Sequence, residues 1–517
     1  MKTNIAPSFV VFLIALPLSM GIAIASGVPP AVGLVTAIVG GLVVGALGGA
    51  PLQISGPSAG LTVLVYQMHQ EHGVAAMGVI VVIAGAVQLL AGILKIGRQF
   101  QAVSPAVIRG MLSGIGVLII GGQCHVMIDG QIRASGLKNI LAIPTAFADR
   151  VAGFTDARSV VAGLLGVGTL AVIVGWQRFR PRALKVVPAP LVGVAFGIAT
   201  AAALSLPLRY VAVPTDLLSL ITLPTSESLA LVLDGGVLLA GVALAFVASA
   251  ETLLCASAVA RMHNRGRTNY DRELSAQGIA NGICGLLGVL PLTGVISRST
   301  ANVDAGASSR WSAIIHAIWI AIFVIWLPEM LAFVPTSSLA AVLVHVGFKL
   351  INPAAVRSLA RFGLPVVLIF AATCVGIVAV DLLTGIVIGL ILSALRLTYQ
   401  MSHAHFELER SGDRVELHLH GSATFLGLPK LQDVLAEVEP GTEVHVHFDE
   451  LEFIDHACLD VLAEFRDRQE DSGGQLVVEW DELFGLRQKK SHLKAAAALQ
   501  NLALQNLALR SEPREPR

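Results

Sequence analysis

The chain has 517 residues, 55% of them hydrophobic and 14% charged, and its formal net charge is zero. That composition excludes an ordinary soluble protein and fits a polytopic membrane protein. The charge balance removes any global argument for a nucleic-acid partner, so basic residues have to be read by position.

Apolar runs of spanning length start near Ser8 and recur to about Leu395. The first is long and lacks a small-residue cleavage site, so it reads as a membrane helix rather than a signal peptide. In chain order, hydropathy predicts helices over 8–27, 31–49, 57–70, 74–95, 105–123, 159–176, 186–206, 235–257, 275–290, 296–305, 312–327, 335–351, 363–380 and 382–396, fourteen membrane segments in all. Segments 57–70 and 296–305 fall short of the about 20 helical residues that a bilayer core requires. Each follows a Gly- and Pro-bearing break, "ISGPSAG" (54–60) and "LPLTGVIS" (290–297). They stand third in each set of seven, and paired interrupted segments at matching places point to an inverted-repeat transporter. The expected 7+7 repeats span about 8–206 and 235–396, inside a transmembrane domain over 1–398. With a cytoplasmic N-terminus, inner loops carry roughly fifteen Lys and Arg and outer loops roughly five, which satisfies the positive-inside rule. Everything after Arg396 is then cytoplasmic.

Beyond Arg396 the texture changes. "FELERSGDRVELHLHG" (406–421) alternates like a strand pair around a Gly-Asp turn, and "LPKLQDVLAEV" (428–438) has helical spacing. "EVHVHFDELEFID" (443–455) reads as a buried strand and its exit, "CLDVLAEFRDRQEDSGG" (458–474) as a helix stopped by glycines, and "QLVVEW" (475–480) as another strand. This is a small α/β domain, placed over 404–490. The tail, 491–517, repeats itself in "LQNLALQNLALR" and ends in "SEPREPR"; it reads as helical or disordered.

Arg298 is the anomaly, set between Ser297 and Ser299 where charge is costly. It opens a half-helix, whose free N–H groups and partial positive charge suit an anion. Two such ends meeting at the midplane form an anion site. "GPSAG" offers one, with Ser58 at its start; "ISRS" offers the other, with the Ser297 and Ser299 hydroxyls beside the guanidinium. The alternative is that Arg298 snorkels to an interface or pairs with Glu251 or Asp304. Glu251 is the second anomaly, a lone carboxylate deep in "ALAFVASAETLLCASAVA" (243–260). An acid there suits a proton or cation coupling site; otherwise it is an interfacial acid paired with the basic loop from Arg261. Asp381, in a short turn between helices, reads as a cap.

These stretches resemble the SulP anion transporters, the sulfate-permease family. "ALPLSMGIAIASGVPPAVGL" (15–34) is similar to the family's opening signature, "ISGPSAG" to its third-helix entry, and "ELSAQGIANGICGLLGVLPLTGVISRSTANVDAGASSR" (273–310) to its most specific stretch. The C-terminal module resembles a STAS domain. The resemblance implies core and gate domains, elevator-type alternating access, a homodimer, and an anion site between the first, third and tenth helices. It places Ile22, Ser58, Ser297 and Arg298 on the substrate cavity. The chain departs from relatives in having Pro17-Leu18 where many carry Pro-Gln, and Ser58 where some carry a bulky aromatic. Sodium-coupled members pair an aspartate with a hydroxyl one turn later; here those positions are Glu251 and Cys255. A thiol is a poor ligand for a hard cation, which favours a proton on Glu251. In the STAS-like region Ile454-Asp455-His456-Ala457 offers no serine after the aspartate for phosphorylation.

Seven histidines crowd the C-terminal domain, at 403, 405, 418, 420, 445, 447 and 456. His418/His420 and His445/His447 each share a strand face, so four imidazoles would converge on a metal if their strands were neighbours. A solvated His-rich face is the preferred reading, with a pH-responsive surface between the two. The five cysteines show no metal spacing or disulfide framework, and no catalytic constellation or phosphate loop is apparent. The sequence therefore predicts no enzyme, no catalytic residues, no cofactor and no bound metal.

The function expected is secondary active transport of a small anion, bicarbonate or sulfate first, across the plasma membrane (bacterial inner membrane, by analogy), coupled to protons or sodium. A dicarboxylate transporter or an uncoupled anion channel or exchanger are the alternatives, and Arg298 argues against a nucleobase permease. The partners implied are the anion, the coupling ion, the lipid bilayer and a second copy of the chain, with no nucleic acid.

Overall fold

The computed structural model describes residues 2–97, 104–133, 135–149, 157–181, 184, 187–212, 221–225, 228, 230–263, 268–402, 405–411, 414–424 and 427–478. The chain divides into two compact units, Met1–Ser393 and Ala394–Arg517.

The first unit is helical. Its long elements are α1 (Ile5–Ala25), α2 (Pro30–Leu47), α3 (Thr62–Ile93), α4 (Pro105–Met127), α5 (Ala157–Phe179), α6 (Ala189–Ala203), α7 (Gly235–Ala260), α8 (Tyr270–Leu286), α9 (Ile296–Asp304), α10 (Trp311–Trp326), α11 (Thr336–Ile351), α12 (Leu364–Ala379) and the first half of α13 (Leu382–Ser402), which runs across the boundary between the units. Two three-residue strands, β1 (Ser55–Pro57) and β2 (Leu292–Gly294), interrupt them. Among the described residues, eight helices are long and apolar enough to cross a membrane, and α6, α10 and α12 are shorter apolar helices.

Local chemistry sets the boundaries. Pro30 and Pro105 start α2 and α4 at the position where a missing N–H costs nothing. Asp234 caps α7, accepting hydrogen bonds from the Gly236 and Val237 N–H groups at 2.8 and 3.0 Å. The break foreseen between 57–70 and 74–95 is a single residue, Gly73, whose φ of 78° is available to glycine at no steric cost. Asp381 caps α13 as expected, accepting from the Thr384 N–H at 2.9 Å and from its hydroxyl.

Burial separates the helices. The apolar window of α1 is 83% buried and that of α13 only 22%, so α1 runs through the interior of the bundle and α13 along its periphery. Glycines bring α3 and α8 together: Gly78 and Gly85 meet Gly285, Gly278 and Gly282 with no room for a side chain between the backbones. One buried carboxylate ties α8 to the loop before β1. Glu273 Oε2 accepts from the Gly49 and Ala50 N–H groups at 2.8 and 2.9 Å, and Oε1 accepts from the Gln53 and Gln277 amides at 3.0 and 3.1 Å.

The second unit is a four-stranded sheet of order β3–β4–β5–β6, comprising β3 (His405–Ser411), β4 (Arg414–Ala423), β5 (Glu443–Ile454) and β6 (Gln475–Val478). β3 and β4 are antiparallel, while β4–β5 and β5–β6 are parallel. The parallel pairs are bridged by α14 (Leu428–Ala436) and α15 (His456–Asp471). Strand alternation turns Val415, Leu417, Leu419, Val444 and Val446 inward against Leu431, Leu435, Leu462 and Phe465. Asp455 caps α15 through the Cys458 N–H at 3.0 Å. Burial pushes the Cys458 thiol up to about 12, so it packs as an inert apolar group. The Gly-Asp turn foreseen at 412–413, residues 479–490 of the expected domain and the tail 491–517 lie outside the described residues.

Candidate functional site: two helix ends at a strand crossing

β1 and β2 come from stretches more than two hundred residues apart, yet they pair antiparallel with Ser55 opposite Gly294, Gly56 opposite Thr293 and Pro57 opposite Leu292. Each strand leads directly into a helix: β1 into a turn of 3₁₀ helix (Ala59–Leu61) and then α3, β2 into α9. Because the strands are antiparallel, the two helices leave in opposite directions and both N-termini stay at the crossing.

Such short buried strands leave backbone groups to satisfy, and neighbouring side chains do it. Asn281 brackets Leu292, accepting from its N–H at 2.8 Å and donating to its carbonyl at 3.0 Å. The Thr252 hydroxyl accepts from the Gly294 N–H at 3.1 Å, and Asn302 donates to the Leu52 carbonyl at 3.0 Å. The crossing is held from three helices, α7, α8 and α9, before any ligand is considered.

Arg298 is fully buried on α9. It neither snorkels nor forms an ion pair: Asp304 is exposed, and the partner of its guanidinium is a hydroxyl. Nη2 donates to Ser19 Oγ of α1 at 3.0 Å, while Nε and Nη1 have no hydrogen-bond partner. Nη1 lies over the β1 backbone at Gly56, where a Cβ would come within 2.6 Å of it. The first turn of α9 has no capping side chain, because its N-cap is Val295. An unpaired buried charge costs several kcal/mol, and free N–H groups at a helix end add to the local positive field.

Glu251 of α7 is also buried and packs at the same rung, from the β2 side. Its Oε2 accepts from the Ser58 hydroxyl at 2.8 Å and from the Thr293 hydroxyl at 3.1 Å. Oε1 faces Gly60, where any side chain would collide with it. Ser58 in turn caps the 3₁₀ turn through the Gly60 N–H at 3.1 Å. Glu251 therefore does not pair with the basic loop from Arg261; two hydroxyls hold it at the first helix end.

The remaining expected site residues part company. Ile22 is buried in the cluster that contains Leu61 and Leu343. Ser297 is exposed, and Ser299 is spent on structure, accepting from the Ile54 N–H at 2.9 Å and donating to the Val295 carbonyl at 2.8 Å. Successive helical residues point about 100° apart, so the hydroxyls flanking Arg298 do not join its guanidinium. Cys255 sits with its Sγ 3.6 Å from the Ser299 Oγ, away from the Glu251 hydroxyl pair. Two participants were missed. Ser19 is one small polar residue in an apolar helix, and Thr293 sits in the break itself; neither carries a charge that would have marked it.

In the second unit β4 and β5 are neighbours, with His418 opposite His447. His445 is instead tied to Glu443, Nε2 to Oε1 at 2.8 Å, and the side chains of His403, His405 and His420 lie outside the described residues.

Residues 1–373 match the sulfate permease family. The chain belongs to that family. Its members are membrane transporters and not enzymes, and this chain is a multi-pass membrane protein of the same kind. It is 27% identical over 423 residues to the putative sulfate transporter YvdB of Bacillus subtilis (strain 168), covering 78% of this chain and 74% of the relative. It is 26% identical over 414 residues to the bicarbonate transporter BicA of Picosynechococcus sp., covering 76% and 70%. The solved transmembrane domain of a cyanobacterial BicA superposes with a TM-score of 0.62 at 25% identity, covering 74% of this chain and 97% of that one. The overall structure of SLC26A9 shares the fold with a TM-score of 0.73 over 92% of this chain and 84% of its own, at 16% identity.

Proposed function

We propose that this sulfate-permease family member carries a small oxyanion, bicarbonate or sulfate, across the plasma membrane by secondary active transport. The observation that carries the reading is the Arg298 guanidinium: fully buried, bonded to Ser19, and among the described residues with two nitrogens unpartnered and no carboxylate against it. A group so placed lacks its counter-ion, and a bound anion supplies one. The anion would rest between the Arg298 nitrogens and the uncapped first turn of α9, with Ser58 and Ile22 on the facing elements. Ser297 and Ser299 then frame the helix end without contacting the ligand.

Glu251 is the proposed coupling group. Its two neighbours are hydroxyls, which donate to a carboxylate and can equally accept from a carboxylic acid. That suits reversible protonation better than sodium, for which Cys255 is a poor ligand. The fourteen-segment 7+7 repeat, elevator-type access, homodimer, cytoplasmic N-terminus and cytoplasmic STAS identity of the second unit belong to the same proposal. The repeat is supported by the paired breaks and the meeting of the two helix ends, and the cytoplasmic N-terminus by the excess of Lys and Arg in alternate loops.

The test is uptake of labelled bicarbonate, sulfate and fumarate into proteoliposomes, with and without imposed proton and sodium gradients. Accumulation of one oxyanion above equilibrium under a proton gradient is expected. Passive equilibration alone would replace the coupled transporter with a channel or uniporter, and exclusive fumarate uptake would make the cargo a dicarboxylate.

A further inference from the structure

We propose that the outer face of the second unit's sheet binds a divalent transition metal of the zinc class through Glu416, His418 and His447. The site is separate from the anion crossing and does not depend on that reading. Alternation along β4 turns Leu417 and Leu419 into the core and therefore Glu416 and His418 to the opposite face. The parallel register of β5 sets His447 directly beside His418.

The side chains converge beyond what register requires. The two imidazoles stack, with centroids 4.6 Å apart and planes inclined by 14°, so at least one ring has to turn about its soft terminal torsion to aim its in-plane lone pair at a shared ion. Both turn an Nε2 toward one carboxylate oxygen, Glu416 Oε2, at 3.7 Å from His418 and 4.0 Å from His447. One candidate ligand atom from each residue lies within 4.8 Å of the others. The His447 Nε2 is shielded from water and makes no hydrogen bond, although its side chain is 38% exposed. A shielded nitrogen without a partner, facing a carboxylate too distant for a hydrogen bond, leaves a donor and an acceptor that a shared cation would satisfy.

The donor set selects the class of ion. Two imidazole nitrogens and one carboxylate oxygen form a three-ligand zinc-type site whose fourth position goes to water. Calcium and magnesium require oxygen ligands, so they do not match. Metal–ligand bonds of about 2.0–2.2 Å put tetrahedral ligands roughly 3.4 Å apart, so ligand atoms now spread over as much as 4.8 Å have to draw together when the ion enters. Rotation of the Glu416 carboxylate about its soft terminal torsion contributes to that closure. Glu407, the register partner of His418 on β3, adds a carboxylate on the same face beside the ligand set. His445 does not take part, because its Nε2 is held by Glu443.

The measurement is zinc binding to the purified full-length chain by calorimetry, with cobalt as a spectroscopic substitute whose visible absorption reports a four-coordinate nitrogen–oxygen site. One ion per chain is expected. His418→Ala and His447→Ala should each weaken zinc binding by roughly 100-fold or more, above what loss of an outer-shell partner costs, and should remove the cobalt band. Glu416→Gln should weaken binding while keeping the fold, and His445→Ala should leave it unchanged. All four positions are partly exposed at the sheet surface, so elution volume and far-ultraviolet dichroism will show whether each variant is folded. Zinc affinity unchanged in a folded His418→Ala/His447→Ala double variant, or lost equally in His445→Ala, would overturn the assignment.

Discussion

Two buried carboxylates, one at the strand crossing and one against the loop before β1, have opposite surroundings. Glu273 receives two backbone N–H groups and two side-chain amides across both of its oxygens. Glu251 receives two hydroxyls, both on Oε2. N–H groups can only donate, so the Glu273 cage accommodates only an acceptor, whereas hydroxyls adapt to either protonation state. The comparison separates an acid that pins the scaffold from one whose partners tolerate either protonation state, though both are carboxylates in apolar helices. Arg298 belongs with Glu251, since its guanidinium is left incompletely bonded while Asn281 and Thr252 beside it are bonded to the β2 backbone.

The comparison breaks most visibly at Glu273. Glu273→Ala leaves three buried donors without an acceptor, the Gly49 and Ala50 N–H groups and the Gln53 amide, at about 1–3 kcal/mol each, while Gln277 keeps Ser55. The expected result is loss of monodisperse protein in size-exclusion chromatography; a variant of normal yield and melting temperature would show that the cage is not a structural pin. Arg298→Ala comes next. Because Arg298 has one hydrogen-bond partner, the variant should fold and lose saturable anion uptake altogether, and unchanged substrate affinity would remove it from the site. Glu251→Gln should be milder still. The amide can accept from Ser58 and Thr293, so the fold and anion exchange should survive while proton-driven accumulation disappears. Full proton dependence in that variant would return Glu251 to the scaffold class.

The smallest effect is expected in the second unit. A hydrogen bond from His445, aided by Arg414, holds the Glu443 carboxyl below its ordinary value. A depressed folded value contributes stability that is present above the unfolded value and lost as pH falls through the folded one. Glu443 is exposed, so the contribution is screened and slight. Glu443→Gln should flatten the acid limb of the melting temperature against pH without moving its neutral plateau; an unaltered acid limb would count against the pair.

Hydropathy alone located the apolar helices to within a few residues, because each has to present a long greasy surface whatever it packs against. The two breaks were legible for the same reason: glycine and proline interrupt helices through their own backbone chemistry. Arg298 and Glu251 stood out because charge is rare in such segments. Their partners did not. Ser19 and Thr293 are small and neutral, and nothing in their neighbourhoods marks them. The hydroxyls beside Arg298 misled for a related reason, since adjacency along a helix sends side chains in different directions. Among the histidines, period-two spacing showed which share a face, but the choice of His447 over His445 to meet His418 depended on strand register and on Glu443.

The sequence by itself determined the membrane class, the helices, the paired breaks, the presence of a second α/β unit and the two charges that need an explanation. All of these follow from local composition and backbone preference, which do not depend on distant neighbours. The tertiary structure decided that the two breaks pair as strands, that Arg298 finds a hydroxyl instead of a carboxylate, that Glu273 is caged while Glu251 is not, and that two histidines meet one glutamate. Those outcomes turn on contacts between residues tens to hundreds of positions apart, and a contact exists only once the chain has closed on itself.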